Sequence, residues 1–593
     1  MHTDYSGRFQ SVWVVFGALS ILFHIGLIFS GLIPNLISRP LHLALALPWV
    51  FLFSAQTPWQ RNSGTVFCFI GISICIWIAV NQSTLGDQYG YLAGHSQITM
   101  AIVLLFIILE LARRAISWPL PLVSLISLVY GLYGSYLPGE FGFSRIPLNS
   151  FLGTLTIAEG GVWGQLTGIS VSIVAVFVIF GAVLNAGEAG QGFMNLAAFA
   201  GGRLRGGAAK VSVISSALFG SISGSASANV ASTGAITLPA MTRLGYPKAL
   251  AAATEAVASS GGQIMPPLMG AGAFVMVELT GIPYTGIITA AFLPALLYFI
   301  AVWIGIDAFS RRFDLQPLTA DMLPSLRTVC ITVLFFLMPF SVLLFAMFVK
   351  NFTPQYAACI ASFAGVLLLL INDRAELSIK RTLDRVSALC LGAGKQIAVI
   401  ASIIVCASII IGVLGITGLG VKITSMILSG SGGLLWPALG LTALACLILG
   451  MEVPTTAAYV ICVSVAGPAL TNIGLQPLQA HLFIFWFALL STITPPVCGA
   501  VFIAAGIVRE NWIKVAGYAM LLGVGLYLIP LSMIASPALI SPIETPIAAG
   551  LAFVKTLIAL ALISFGSIAP GSIFIRASLI AVGLFIMFSS LIV

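Results

Sequence analysis

The residues from Pro239 to Pro267 read PAMTRLGYPKALAAATEAVASSGGQIMPP, and those from Pro468 to Pro496 read PALTNIGLQPLQAHLFIFWFALLSTITPP. The two stretches align without a gap, are identical at eight positions, and both end in a Pro-Pro pair. Each follows a short apolar segment that is interrupted by Gly, Ser, Thr or Pro. Interrupted segments in matching places of two halves are typical of transporters built from inverted repeats. The alignment therefore predicts an inverted-repeat membrane protein.

The composition is that of an integral membrane protein. Of the 593 residues, 59% are hydrophobic and 7% are charged, whereas roughly a quarter of the residues of a soluble domain are charged. The mean hydropathy is +1.11. The 25 Lys and Arg outnumber the 17 Asp and Glu, but they stand singly or in small groups between apolar runs. We interpret the excess of Lys and Arg as a sign of membrane topology, because positive charges mark cytoplasmic loops. We expect lipid around the chain and no nucleic-acid partner.

The apolar runs predict an all-α fold. Crossing a bilayer takes about 20 apolar residues, and on this basis the chain has about 15 transmembrane helices. Two further regions, about 211–240 and 436–470, are interrupted by glycine, proline and polar residues, and we predict a re-entrant hairpin of two half-helices in each. The predicted spans are 12–33, 41–55, 64–81, 99–117, 119–137, 170–190, 249–279, 285–306, 327–349, 355–371, 394–414, 476–506, 515–534, 546–566 and 572–592.

Loop charges predict that the two hairpins point in opposite directions. Arg205 precedes the first hairpin and Arg243 follows it, so both of its ends face the cytoplasm if positive loops stay inside. Counting spans forward places the ends of the second hairpin on the outer side, where its flanks carry only Lys422. The inverted repeats are predicted at about 165–306 and 394–534.

Four interruptions at membrane depth are candidate binding sites, at 223–229, 259–267, 450–456 and 491–496. Irregular backbone is tolerated there only where protein or a water-filled cavity satisfies its polar groups. Glycine and proline free backbone carbonyls, and Ser, Thr and Asn add neutral oxygens, which suits a hard monovalent cation such as sodium. Half-helix N-termini favour a carboxylate substrate. The alternative is that these small residues only allow close helix packing.

Three stretches carry a resemblance to a known family: GSISGSASANVASTGAITLPAMTRLGYPKALAAATEAVASSGGQIMPPLMGAGAFVMVELTGIPY (220–284), PTTAAYVICVSVAGPALTNIGLQPLQAHLFIFWFALLSTITPP (454–496) and LELARRAISWPLPLVSLISLVYGLYGSYLPG (109–139). The first two resemble the large membrane subunit of tripartite ATP-independent periplasmic (TRAP) transporters, in the fused permeases that work with TAXI-type binding proteins. The third is similar to the fused small-subunit region. The resemblance implies small-subunit-like scaffold helices at 1–140, a transport region at 141–541, and extra membrane helices at 542–593.

The resemblance also implies a function. It implies sodium-coupled uptake of a small organic acid across a bacterial-type cytoplasmic membrane, with an extracytoplasmic binding protein that delivers the acid. It further implies an elevator-type mechanism, in which a transport domain that holds both hairpins moves against a scaffold. On motif positions, one sodium site is expected at Ser225, Asn229, Ser260 and Gly262, a second at Gly450, Thr455, Thr456 and Thr492, and substrate contacts at Ser227, Gln263 and Thr494.

Two acidic residues are candidate coupling acids. Relatives usually carry a small residue where this chain has Glu452, and a charge near the bilayer centre costs at least about 2.5 to 3.5 kcal/mol. Glu452 has three functional interpretations: it carries a proton during transport, it binds the cation, or it repels the negative end of the substrate. The alternative is that it only faces an outer aqueous vestibule. Glu255 is interpreted as a proton carrier or a support of the cation site, or as the ion-pair partner of Lys248.

Two other functions stay open. The first is an ion-coupled carboxylate symporter or antiporter that needs no binding protein. The second is a channel or a structural membrane subunit, although such a subunit normally shows paired charges along several helices. The sequence has no Ser-His-Asp arrangement, HExxH motif, CxxC pair or phosphate-binding glycine loop, so we expect no enzymatic activity.

Overall fold

The computed structural model describes residues 7–372, 376–450, 454–496 and 498–589. Regular structure in these ranges is helical, and a single β-bridge pairs Ile371 with Leu377. Ten helical segments in the described ranges are long and apolar enough to cross a membrane, and shorter apolar helices accompany them. The all-α membrane fold is confirmed.

The α-helices follow one another with short connections. Two of them are extended by π-helical turns, at Trp49–Phe53 and Ser170–Val174. The helices are Gly7–Phe29, Asn35–Pro48, Pro58–Val80, Gln82–Gly86, Gly94–Ile116, Pro119–Tyr133, Leu148–Thr156, Gln165–Ile169, Ala175–Ala186, Ala189–Gly201, Gly207–Ser223, Ala226–Arg243, Lys248–Gly261, Gly270–Thr280, Tyr284–Phe313, Leu326–Phe348, Pro354–Leu368, Ile379–Thr417, Leu419–Gly430, Leu435–Leu449, Thr455–Asn472, Pro477–Leu490, Gly499–Val508, Trp512–Leu522, Val524–Ala535, Pro546–Ile568 and Ile573–Phe588.

Some helix bounds differ from the predicted spans. The segment predicted at 394–414 is the 39-residue helix Ile379–Thr417, which is about 58 Å long at 1.5 Å per residue. The first part of this helix contains polar residues, so its hydropathy is too low to predict a membrane span. These residues are nevertheless good helix formers. Four helices were not predicted because they are short for a span: Gln82–Gly86, Leu148–Thr156, Ala189–Gly201 and Leu419–Gly430.

The two repeats match element by element. The first hairpin is Gly207–Ser223 with Ala226–Arg243, the second hairpin is Leu435–Leu449 with Thr455–Asn472, the first broken helix is Lys248–Gly261 with Gly270–Thr280, and the second broken helix is Pro477–Leu490 with Gly499–Val508. The offset that takes Pro239 to Pro468 also takes three helix starts of the first repeat onto helix starts of the second, which pair Ala226 with Thr455, Lys248 with Pro477, and Gly270 with Gly499.

The two broken helices pass each other in opposite directions. The hydroxyl oxygens of Ser260 and Thr492 lie 2.8 Å apart. Further along the first broken helix, Gly272 packs against the ring of Phe485, which precedes Thr492 in the second. Residue numbers therefore rise along one helix where they fall along the other. This antiparallel passage agrees with the inverted repeat.

Contacts between distant loops join residues that were predicted on the same side of the membrane. Arg205, before the first hairpin, forms an ion pair of 2.7 Å with Asp314. On the opposite side, the Nζ of Lys422 donates to the carbonyl of Gly142 at 2.7 Å. Each contact joins loops that the predicted topology places on one side of the membrane.

The long helix Ile379–Thr417 joins two parts of the molecule. It packs against the N-terminal helices, including Gly7–Phe29 and Pro119–Tyr133, and it also contacts the arm Thr455–Asn472 of the second hairpin. Of the C-terminal helices, Pro546–Ile568 packs instead against Tyr284–Phe313, and Ile573–Phe588 packs against Pro546–Ile568. The candidate site lies between the long helix and the hairpin tips.

Candidate functional site

The sequence interruptions of the two repeats converge in space. At the tip of the first hairpin, Gly224 lies so close to Gly270 that a Cβ on Gly224 would be 2.8 Å from the Cα of Gly270. Gly224 has a φ of 61° and ends the first arm in a left-handed conformation, which glycine adopts without steric strain. The hydroxyl contact between Ser260 and Thr492 then joins the breaks of the two broken helices.

A cavity of about 690 Å³ opens between these breaks and the long helix Ile379–Thr417. One wall is apolar and includes Phe177 and Phe274, whose stacked ring centroids are 4.3 Å apart. An apolar pocket with a few convergent polar groups is the usual form of a small-molecule site. Its polar side chains are Asn185, Ser223, Ser225, Ser227, Ser232, Gln263, Lys395, Gln396, Thr455, Thr456, Ser491 and Thr492.

Six of the predicted site residues line this cavity, namely Ser225, Ser227, Gln263, Thr455, Thr456 and Thr492. Ser225 also caps the second arm of the first hairpin, because its hydroxyl accepts a hydrogen bond from the N–H of Ala228 at 3.3 Å. Ser227 is exposed to the cavity, whereas Gln263 is 3% exposed and reaches it from the break of the first broken helix.

Asn229 lies behind the cavity wall rather than in it. Its side chain is fully buried, and its Nδ2 donates to the carbonyls of Ser216 at 2.9 Å and Ser259 at 3.4 Å. Asn229 therefore ties the two arms of the first hairpin to the first broken helix. Its amide donates to one carbonyl inside the first arm, that of Ser216, and to one in the last turn of Lys248–Gly261, that of Ser259.

Gly262 and Gly220 allow the first hairpin to touch the first broken helix backbone to backbone. A Cβ on Gly262 would lie 2.5 Å from the Cα of Gly220 and 2.8 Å from the carbonyl oxygen of Ser216. Gly220 is equally confined, because its Cβ would lie 2.4 Å from the Cα of Gly262. The predicted ligand Gly262 thus lies at a close backbone contact outside the cavity lining.

Three more predicted residues are not brought to the cavity lining. Ser260 lies behind Thr492 and also donates to the carbonyl of Ala256 at 2.8 Å. Gly450 packs against Ser491. The hydroxyl of Thr494 lies 2.7 Å from that of Tyr527, away from the cavity, so this structure does not place Thr494 beside Ser227.

The two predicted sodium sites adjoin each other. Ser260 was assigned to the first site and Thr492 to the second, yet their hydroxyl oxygens are within hydrogen-bonding distance. The first and second broken helices therefore share one polar centre. Sequence spacing alone treats them as separate because the two residues belong to different repeats.

Glu255 is fully buried among hydroxyl groups. In the described ranges no Lys or Arg nitrogen lies within 4.0 Å of its carboxylate, and Lys248 is exposed at the start of the same helix. The ion pair between Glu255 and Lys248 is therefore not formed. The other candidate acid, Glu452, lies outside the described residues.

The sequence did not reveal Lys395 as a site residue. Among the described residues that line the cavity, Lys395 alone carries a charge, and its side chain is exposed there. The predicted span begins at 394, which places Lys395 at the membrane edge, next to the polar residues that precede the apolar run. The helix in fact begins at Ile379, so Lys395 lies well inside it. A basic residue inside a long helix next to an apolar run was the available signal.

Two exposed polar residues of the cavity lining, Asn185 and Lys395, come from the helices Ala175–Ala186 and Ile379–Thr417. Asn185 lies in the last turn of Ala175–Ala186, and Lys395 lies inside Ile379–Thr417, in which Arg385 forms an ion pair with Glu188.

Comparison with known proteins identifies the family. Residues 103–546 match the family described as Tripartite ATP-independent periplasmic transporter, DctM component. The chain belongs to this family. Permeases of this family are transporters rather than enzymes, work with an extracytoplasmic substrate-binding protein and carry small organic acids. The chain is thus a multi-pass protein of the bacterial inner membrane.

Relatives of the permease cover most of its matched region. It is 25% identical over 334 residues to the C4-dicarboxylate TRAP transporter large permease protein DctM of Pseudomonas aeruginosa, which covers 56% of this chain and 76% of the relative. It is 26% identical over 339 residues to the isethionate TRAP transporter permease protein DctMQ of Oleidesulfovibrio alaskensis, covering 56% and 52%. It is 26% identical over 365 residues to the uncharacterized protein y4mL of Sinorhizobium fredii, covering 60% and 83%.

Two alanine variants should separate structural from ligand-binding roles in the permease. Asn229→Ala removes two buried hydrogen bonds that join the arms of the first hairpin to each other and to the first broken helix, and each typically contributes about 1 kcal/mol, so both thermal stability and gradient-driven uptake should fall. Thr456→Ala should abolish uptake and leave stability unchanged, because Thr456 is half-buried at the cavity surface. Melting curves in detergent and uptake into proteoliposomes measure both effects. Unchanged uptake in either variant would remove that residue from the site.

Proposed function

We propose that the permease is the fused membrane component of a TRAP transporter that takes up a small organic acid together with sodium ions. The observation that carries this proposal is the cavity between the hairpin tips and the long helix, whose described lining carries one positive charge, Lys395, and otherwise neutral polar groups. A carboxylate or sulfonate gains from a positive charge and from hydroxyl and amide donors. Two relatives are named for C4-dicarboxylates and isethionate, which are acids of this kind.

The substrate is proposed to bind at the cavity surface near Ser227 and Gln263, with its anionic group towards Lys395. Ser227 is exposed at the hairpin tip, and the largely buried Gln263 lines the cavity at the break of the first broken helix. The stacked rings of Phe177 and Phe274 form the apolar wall for the carbon skeleton. Thr494 stays in the proposed substrate site only because it lies near the break of the second broken helix.

Sodium is proposed to bind at the helix breaks. The groups there are neutral oxygens from Ser and Thr hydroxyls and from freed carbonyls, the donor set that a hard monovalent cation takes in broken transporter helices. One site would use Ser225, Asn229, Ser260 and Gly262, and the other Gly450, Thr455, Thr456 and Thr492. Because Ser260 and Thr492 touch, we expect the two sites to influence each other.

An elevator-type motion is proposed for the hairpins and broken helices. Gln396 on the long helix contacts the carbonyl of Ser223 at the first hairpin tip across 3.5 Å. The long helix packs on the N-terminal helices, whereas the tip packs on the broken helices. A single polar contact of this length is weak enough to break when one unit slides past the other.

A fused architecture is proposed from the helices that precede the family match, and a TAXI-type partner is proposed from the resemblance of residues 220–284 and 454–496. The family match begins at residue 103, and the helices from Gly7–Phe29 to Pro58–Val80 precede it. We assign the segment 1–140 to a small-subunit-like scaffold, 141–541 to the transport region and 542–593 to additional helices. One relative carries the combined designation DctMQ.

Uptake into proteoliposomes tests this proposal. The purified permease should accumulate a labelled C4-dicarboxylate or isethionate only when a cognate TAXI-type binding protein is present outside and an inward sodium gradient is imposed. Replacing the sodium gradient by a potassium gradient should abolish accumulation. Uptake without any binding protein would favour an independent symporter or antiporter. Equilibration without accumulation, for every acid that the binding protein binds, would favour a channel or a structural subunit.

A further inference from the structure

Glu255 lies at the centre of five hydroxyl groups inside the first repeat. One carboxylate oxygen accepts from Ser212 at 2.7 Å and from Thr237, and the other lies 3.2 Å from both Ser216 and Ser259 and also accepts from Thr233. The side chain is 0% exposed. These hydroxyls come from both arms of the first hairpin and from the first broken helix, so one carboxyl group holds three segments together.

This environment differs from that of a structural carboxylate. A buried carboxylate that only stabilises a fold is normally paired with a cation, because burial of a lone charge is expensive. Charged side chains on the elements packed against this helix lie near the ends of those elements: Lys210, Arg243, Asp307, Arg311, Arg312 and Lys514. Lys210 is already paired with Asp307 at 2.6 Å. The nearby Tyr298 donates to the carbonyl of Val257 at 2.7 Å.

Hydroxyl partners suit a group that changes its charge. A hydroxyl can rotate to donate to a carboxylate or to accept from a protonated carboxyl group. Arg and Lys can only donate and would fix the charged form. A cage of Ser and Thr can therefore accommodate Glu255 with or without a proton, and no side chain has to be displaced.

A second cavity adjoins this cage at Thr237 and is lined by Arg243, which the loop charges predict to face the cytoplasm. Thr237, whose hydroxyl binds Glu255, also lines a cavity of about 560 Å³. Arg243, Asp321 and Thr328 line the same cavity. These residues belong to the segments that the basic loops place inside. One hydroxyl group thus separates the buried carboxyl group from a cavity that is distinct from the central one.

The cage is also coupled to the tip of the first hairpin. The hydroxyl of Thr233 contacts Glu255 and lies 3.3 Å from the Oδ1 of Asn229. Asn229 in turn holds the carbonyls of Ser216 and Ser259. A change in the charge of Glu255 therefore reaches, through two hydrogen bonds, the residue that ties the hairpin arms to the first broken helix.

We propose that Glu255 and its five hydroxyl groups form a proton-binding site that exchanges with the cytoplasm through Thr237. On release, the carboxyl group donates its proton to the Thr237 hydroxyl oxygen, and the proton of that hydroxyl passes to water in the second cavity. The hydroxyl then rotates back towards the carboxylate. One proton leaves Glu255 and one enters the cytoplasmic water. The role of this site in coupling rests on the proposed transport function, but proton binding itself does not.

Infrared difference spectroscopy on the full permease in lipid, without any substrate, tests the proposal. Spectra are compared over a titration between about pH 5 and 9, the range that buried carboxyl groups reach. Acidification should produce a carboxylic C=O band that Glu255→Gln lacks and that the control Glu278→Gln retains, since Glu278 is exposed. The same band in Glu255→Gln, or a wild-type spectrum in which no band depends on Glu255, would overturn the proposal.

A second variant keeps the test decisive if Glu255→Gln does not fold. Thr237→Val should slow hydrogen–deuterium exchange of the band, and Thr237→Ser should restore it. An exchange rate that is equal in all three proteins would exclude the route through Thr237. The carboxylic band is measured without substrate and does not depend on uptake. If the band is present but no uptake is found, the transport proposal is refuted and the proton-binding site is still supported. Normal uptake with an unchanged pH profile in Glu255→Gln would instead remove Glu255 from coupling.

Discussion

Replacing Lys395 by glutamine is expected to raise the substrate concentration for half-maximal uptake by about ten- to one-hundredfold. A hydrogen bond to a charged group contributes about 1.5 to 3 kcal/mol. Lys395 is the one charged side chain among the described residues that line the cavity, so neighbouring described groups cannot replace its charge. The effect is measured as initial uptake rates in proteoliposomes against the concentration of liganded binding protein and of its organic acid.

Two further variants make this result specific. Lys395→Arg keeps the positive charge and should recover most of the wild-type affinity. Lys514→Gln removes an exposed lysine that is 3.9 Å from Glu510 and far from the cavity, and it should leave uptake unchanged. An unaltered half-saturation in Lys395→Gln would show that the anionic group does not bind beside the long helix.

Replacing Gly262 by alanine is expected to abolish uptake and to lower the stability of the permease. The added Cβ would lie 2.5 Å from the Cα of Gly220, a distance that forces the first hairpin away from the first broken helix. Overpacking of a close contact costs about 1 to 3 kcal/mol. Here the neighbouring atoms are backbone, which cannot rotate away, so we expect a value near the upper end. Melting curves in detergent and uptake assays measure the two effects.

Gly440→Ala is the matched control for this glycine. Gly440 lies in the first arm of the second hairpin, and a Cβ there would meet nothing within 4 Å. Alanine should be neutral or slightly stabilising, since it favours the helix. Gly220→Ala should reproduce the defect of Gly262→Ala, because the two residues form the same contact from opposite sides. Wild-type melting and uptake in Gly262→Ala would show that the two segments are not in close contact.

The repeat architecture could be predicted because it depends on local sequence patterns. Glycine and proline interruptions mark the hairpin tips, and the constant offset between Pro239 and Pro468 holds for the helix starts as well. Loop charge then orients the two repeats. The bounds of single helices were less accessible, since polar residues precede the apolar part of Ile379–Thr417 without ending the helix.

The candidate site was only partly predictable. Residues at the breaks, such as Ser225 and Thr455, reach the cavity because a hairpin tip must point into the protein. Others, such as Asn229 and Thr494, have the same residue types and spacing but form hydrogen bonds elsewhere. A side chain that fits a ligand also fits a neighbouring carbonyl or hydroxyl, and the sequence does not distinguish these partners.

The amino-acid sequence by itself determined that this chain is a helical membrane protein with two inverted repeats, because hydropathy, loop charge and helix-breaking residues act over a few neighbouring positions. The tertiary structure decided which polar groups meet. It brought Lys395 to the cavity, placed Ser260 against Thr492, and surrounded Glu255 with hydroxyls from three segments. Such contacts join residues far apart in the chain, and they depend on how the helices pack rather than on where each helix begins and ends.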